Sequence, residues 1–176
     1  MLQTIALMIL DAVVSLFVIT LLLRFYMQWM RVSFRNQVGG FVTQLTNWLV
    51  LPLRRVVPGV GGLDLSSLLP AVLLKAVYVG IVLWLRGTPV GASPAGLWLA
   101  VLAVGLLEVI RLSIWLLVIV VLASAILSWV NPYSPIAPVL NNLARPFLRP
   151  FQKIIPPIAN IDLSPLLAIV LLQALL

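Results

Sequence analysis

The sequence predicts an all-α integral membrane protein of two tandem parallel repeats. Each repeat is two transmembrane helices joined by a proline-kinked amphipathic segment at the membrane interface. Three observations predict this. Hydrophobic residues make up 63% of the 176 positions and charged residues only 9%, against roughly 25% charged in a soluble domain. The apolar residues run in blocks long enough to cross a bilayer, which takes about 20 residues. The heptapeptide IDLSPLL at 161–167 has a near copy, LDLSSLL, at 63–69, an offset of 98.

The elements follow in order. The first span covers about 5–30. Its start, MLQTIALMILD, has no basic leader region and is interrupted by Asp11, so it reads as a retained span and not a cleaved signal peptide. Next comes FVTQLTNWLVLPLRRVVP, an amphipathic segment with Trp48 as an aromatic anchor. The second span, about 65–85, is closed by Arg86 and GTPVGASP. The third, about 105–130, lies inside 94–130. In the segment after it, Leu140, Leu143, Phe147, Phe151 and Ile154 recur at three- or four-residue steps. Asn141, Asn142, Arg145, Arg149 and Lys153 take the other side. Such a basic amphipathic helix suits the interface, and Pro146 and Pro150, each lacking an N–H, are expected to kink it. The last apolar run, 163–176, has 14 residues, too few to span at about 1.5 Å per residue. The chain is therefore expected to be truncated there, or its final helix partial.

Laid on each other, the halves 1–90 and 91–176 pair Pro52 with Pro150, Pro58 with Pro156, Asp64 with Asp162 and Ser66 with Ser164. Upstream the offset becomes 100 and pairs Trp29 with Trp129. Fixed-offset similarity signals duplication. Two spans per unit give both units the same orientation, related by a pseudo-twofold axis along the membrane normal. Arg31, Arg35, Arg54, Arg55, Arg145, Arg149 and Lys153 lie in the two long loops, against Arg86 alone in the middle connection. The positive-inside rule puts those loops in the cytoplasm and the N-terminus outside.

The net charge of +7 fits basic residues facing anionic lipid headgroups. No basic patch with base-stacking aromatics stands clear of the apolar runs, which speaks against nucleic acid. The chain has no Cys and no His. That excludes disulfides, a thiol nucleophile, Cys/His zinc, His-ligated haem and Ser–His catalysis. No general acid–base constellation is visible, so the reading is of a non-enzyme with no cofactor or metal.

SWVNPYSP and RPFLRPFQKIIPPIANIDLSPLL resemble the repeat of the YggT family of small bacterial membrane proteins, which has chloroplast relatives. The resemblance covers both halves. The first copy departs from it: Ser67 stands for the proline Pro165, and MRVSFRNQ for VNPYSP. In the second copy Gln152 replaces one of the adjacent basic residues seen as Arg54 and Arg55. The resemblance implies a multi-pass bacterial inner-membrane protein with four spans and no established enzymatic activity. It further implies an association with tolerance of osmotic and extracytoplasmic stress. Relatives are linked to cell division, organelle nucleoid organisation and cytochrome b assembly.

Several residues are candidates for a role. Ser164 before Pro165 has the form of a helix N-cap followed by proline at the first helical position, and Ser66 is its counterpart. Asp64 and Asp162 sit where a carboxylate favours the positive helix end. Three readings of these acids stay open. They fix the helix starts, or they pair with base (Asp64 with Arg54 or Arg55, Asp162 with Arg149 or Lys153), or they bind a cation, for which one carboxylate per copy is few ligands. If Trp29 and Trp129 mark one interface, Asp11 and Arg111, each 18 residues away, lie about 27 Å off, near the other. With Glu108 one turn from Arg111, a structural cluster of the three is expected. Arg24, near Trp29, is expected to snorkel. Lys75 lies at mid-span with no acid at matching depth, and its repeat counterpart is Gln173. It either faces the bundle, bonded to carbonyls or water, or lines a polar path. Two functions follow: a scaffold or assembly factor contacting anionic lipid and a membrane or cytoplasmic protein, or a small ion or solute pathway lined by Lys75 and Gln173.

Overall fold

The computed structural model describes residues 1–57, 64–87, 94–154, 162 and 164–176. These form six helices: α1 (Leu2–Trp29), α2 (Gln37–Val56), α3 (Leu65–Leu85), α4 (Pro94–Val130), α5 (Ala137–Ile154) and α6 (Ser164–Ala174). No strand occurs among the described residues. The all-α fold of two helical units is the one the sequence predicts.

Three helices are long and apolar enough to cross a membrane: α1, α3 and, over 96–130, α4. The third begins well before position 105. Its 37 residues measure about 55 Å at 1.5 Å per residue, against a hydrocarbon core of roughly 30 Å. The apolar α6 has 11 residues and falls short of a span.

Each amphipathic segment is one helix. Pro52 lies inside α2, and Pro146 and Pro150 inside α5. The helices run on through them because the carbonyls they free belong to Trp48, Asn142 and Pro146, all exposed, where water or headgroups can satisfy them. Asn36 caps α2 by accepting the Gly39 N–H at 2.8 Å. The turn before it reverses the chain through Arg31 at φ 54°. There Arg31 N–H donates to the Gln28 carbonyl and Val32 N–H to that of Met27, a Schellman closure of α1.

Val18, Leu21 and Leu22 of α1, Ala71 of α3 and Val109, Leu116, Val120 and Val121 of α4 form one buried cluster, joined by Leu143, Ala144 and Leu148 of α5. The α3–α4 crossing is close. A Cβ added to Gly105 would stand 2.8 Å from the Ala76 nitrogen, so only glycine lets the backbones meet. Along the same pair of helices runs an apolar groove of about 870 Å³, lined by Trp84 and Trp98 among others.

Candidate functional site

The polar residues inside the bundle gather in two layers. The first lies toward the N-terminal end of α1. Lys75 Nζ donates to Asp11 Oδ1 at 2.8 Å and to Ser15 Oγ at 2.9 Å. The ammonium also stands 5.1 Å from the Tyr78 ring centroid. The Lys75 side chain is 3% exposed and that of Asp11 44%. A cavity of about 430 Å³, lined by Gln3, Thr4, Asp11, Tyr78 and Arg86 among others, opens on Asp11.

Two expectations are corrected here. Lys75 does have an acid partner, and Asp11 does not join Glu108 and Arg111. Those two sit on α4, 4.0 Å apart and 37% and 63% exposed. A depth count from tryptophan says nothing about which way a helix is turned, and α1 turns Asp11 toward α3. Nor does the structure bring Lys75 and Gln173 together: Lys75 is buried while Gln173 is exposed.

The second layer lies at the opposite end of α1. Arg24, 5% exposed, does not snorkel. Its Nη1 donates to Thr46 Oγ1 at 2.6 Å and Asn47 Oδ1 at 2.8 Å, both on α2. Arg54 donates to Asp64 Oδ2 at 2.7 Å and Gln28 Oε1 at 2.8 Å. The Ser67 hydroxyl donates to the same Asp64 oxygen at 2.8 Å. Of the two predicted partners of Asp64, Arg54 is the one used; Arg55 is exposed and has no ion-pair partner among the described residues. Ser66 is not the N-cap. That place falls to Asp64, and the Ser66 hydroxyl donates to the Val57 carbonyl at 2.9 Å, tying α2 to α3. Between the two layers Val18, Leu21, Leu22 and Ala71, at most 2% exposed, form a dry partition.

In the second repeat, Asp162 Oδ1 accepts the Ser164 backbone N–H at 2.9 Å, so the aspartate does the capping expected of Ser164. Pro165 lies in the first turn of α6, where a missing N–H costs nothing. The side-chain partner of Asp162 is neither Arg149 nor Lys153, both exposed, but Gln152, whose Nε2 donates to Oδ2 at 2.8 Å. Gln152 is the repeat counterpart of Arg54. Burial alone would push the Asp162 carboxyl up, but the Ser164 hydroxyl, the Gln152 amide and the Ser164 N–H outweigh it and hold it below its ordinary 3.8. The Ser124 hydroxyl donates to Asn141 Oδ1 at 2.6 Å. Ser124, Asn141, Gln152 and Asp162 line a cavity of about 160 Å³.

Sequence reasoning missed Ser15, Thr46, Asn47 and Asn141. Ser15 had a signal, since it lies one turn from Asp11 on an otherwise apolar helix. Pro58 and Pro156, which the repeat offset aligns, lie outside the described residues. Among those described, no group of three or more His, Cys, Asp or Glu side chains is placed to hold a metal.

The CCB3/YggT family profile matches residues 3–85 and 103–176, one stretch in each repeat. An uncharacterised protein of Pseudomonas aeruginosa is 37% identical over 174 residues, covering 98% of this chain and 86% of its own. The uncharacterised protein YggT of Escherichia coli K12 is 37% identical over 170 residues, 95% of this chain and 85% of its own. An uncharacterised protein of Haemophilus influenzae is 31% identical over 164 residues, covering 92% and 83%. No solved structure matches. With both repeats matched and whole-length relatives above 30% identity, this membrane protein belongs to the CCB3/YggT family.

Proposed function

We propose that the protein is a non-enzymatic scaffold or assembly factor of the bacterial inner membrane that supports tolerance of osmotic and extracytoplasmic stress. Its N-terminus faces outward, and α2 and α5 lie on the cytoplasmic surface, where they engage anionic lipid and a membrane or cytoplasmic protein. One observation carries this reading. Charges in the spans of the first repeat are spent on internal contacts, whereas Arg55, Arg145, Arg149 and Lys153 on α2 and α5 are exposed. Buried charge is satisfied and surface charge is left for a partner, the arrangement of a docking platform. A second reading, a small ion or solute pathway, is favoured by the cavity that leads to Asp11. Against it stands the dry partition behind the pair.

The test compares two variants in cells lacking the native protein. Arg145→Gln/Arg149→Gln/Lys153→Gln is expected to keep normal abundance and lose osmotic tolerance. Asp11→Leu/Lys75→Leu is expected to keep both. The reverse outcome, together with solute flux in proteoliposomes that the second variant abolishes, would replace the scaffold reading with the pathway.

A further inference from the structure

The 160 Å³ cavity of the second repeat is lined by Ser124, Ser128, Trp129, Asn141, Gln152 and Asp162, with three apolar residues. Under the repeat offsets, four of these correspond to Arg24, Gln28, Arg54 and Asp64. Those are the residues that build the polar layer of the first repeat. Several equivalent positions share their burial. Positions 18, 21 and 24 of α1 and 118, 121 and 124 of α4 are all buried, as are 46 and 50 of α2 and 144 and 148 of α5.

The duplication has therefore kept the carboxylate and removed both cations. The first-repeat layer holds two guanidiniums, Arg24 and Arg54, and one carboxylate, Asp64. The second-repeat cavity holds the carboxylate Asp162 and, among its lining residues, no cation. Where Arg24 fills the first repeat, Ser124 is three rotatable bonds shorter and leaves space. The remaining walls are rich in acceptors. Asp162 is held ionised by its hydrogen bonds. Gln152 spends an N–H on Asp162 and keeps its carbonyl oxygen. Asn141 and the two hydroxyls add further lone pairs. Trp129 supplies an aromatic wall, which attracts a delocalised cation.

We infer that this cavity is a binding site for a small guanidinium cation, which supplies to Asp162 the charge that Arg54 sets against Asp64 in the first repeat. Planar guanidinium has five N–H donors in a fixed fork and meets acceptors spread around a wall better than a compact ammonium or a metal ion. The inference stands apart from the scaffold reading and neither needs nor excludes it.

The test uses the full chain in detergent or nanodiscs with methylguanidinium as probe, and sodium and tetramethylammonium at equal ionic strength as controls. Thermal unfolding is expected to shift upward saturably, by roughly 3 °C at tenfold the half-saturating concentration. Asp162→Asn is expected to weaken binding at least tenfold. Ser124→Arg, which supplies the guanidinium covalently, is expected to raise Tm without probe and to abolish the response. Should Ser124→Arg fail to fold, Asp162→Asn decides. No saturable shift, an equal shift with sodium or tetramethylammonium, or a shift that Asp162→Asn leaves unchanged would each overturn the proposal.

Discussion

Removing Asp11 and removing Lys75 are unequal changes, because water reaches only one of them. Lys75 is 3% exposed and Asp11 44%. Asp11→Leu strands an ammonium inside the span and is expected to cost about 3 kcal/mol. Lys75→Leu leaves a carboxylate that still meets the cavity of its own layer, and is expected to cost less. The double variant removes both charges and should recover most of the loss, a coupling that a double-mutant cycle in detergent unfolding measures. Equal single losses would contradict this. At Asp162 the folded carboxyl lies below its ordinary 3.8, so ionisation favours the folded state. Its contribution is complete above the ordinary value and is lost as pH falls through the lower, folded one. The Tm gap between wild type and Asp162→Asn should therefore close as pH is taken from about 5 toward 3. The repeated acid was legible at this scale, because a carboxylate kept twice in a chain with four acids draws the eye. Its partner was not. Arg149 and Lys153 were expected on charge alone, while the offset of 98 that aligns Asp162 with Asp64 also aligns Gln152 with Arg54.

Helix α2 owes its start to a glycine that cannot be replaced and carries next to it one that can. A Cβ on Gly39 would stand 2.5 Å from the Phe34 backbone, whereas one on Gly40 would meet nothing within 4 Å. Gly39→Ala must push the preceding turn away from the Asn36 cap and is expected to cost about 1–3 kcal/mol. Gly40→Ala gains helix propensity of up to about 1 kcal/mol. Denaturation of the two single variants under one condition checks the order, and Gly39→Ala as the more stable would refute it. The period of α5 was plain in the sequence, since Leu140, Leu143 and Phe147 share one side. The continuity of α5 through Pro146 and Pro150 was not, because proline costs a helix a hydrogen bond and a ring clash, and whether the surroundings absorb that cost is not written in the local sequence. Length was equally hidden in α4: Glu108 and Arg111 mark where a membrane would end, yet the apolar helix runs on past them to Pro94.

For the molecule as a whole, the two-layer plan with a dry partition follows from where the few polar residues fall on α1, α2 and α3. The duplication was readable, but the pairing of Lys75 with Asp11 was not, since it depends on how α1 and α3 are rotated against each other. Orientation is tested on the cysteine-free chain by single substitutions. Arg86→Cys is expected to react with an impermeant maleimide on intact cells, and Tyr133→Cys only after permeabilisation. The opposite pattern would invert the proposed topology. The contact of Gly105 on Ala76 has a mechanical consequence. Helix α3 closes the first repeat and α4 opens the second, so this contact is also the rivet between the halves. A side chain at position 105 must therefore part the two halves as well as the two helices.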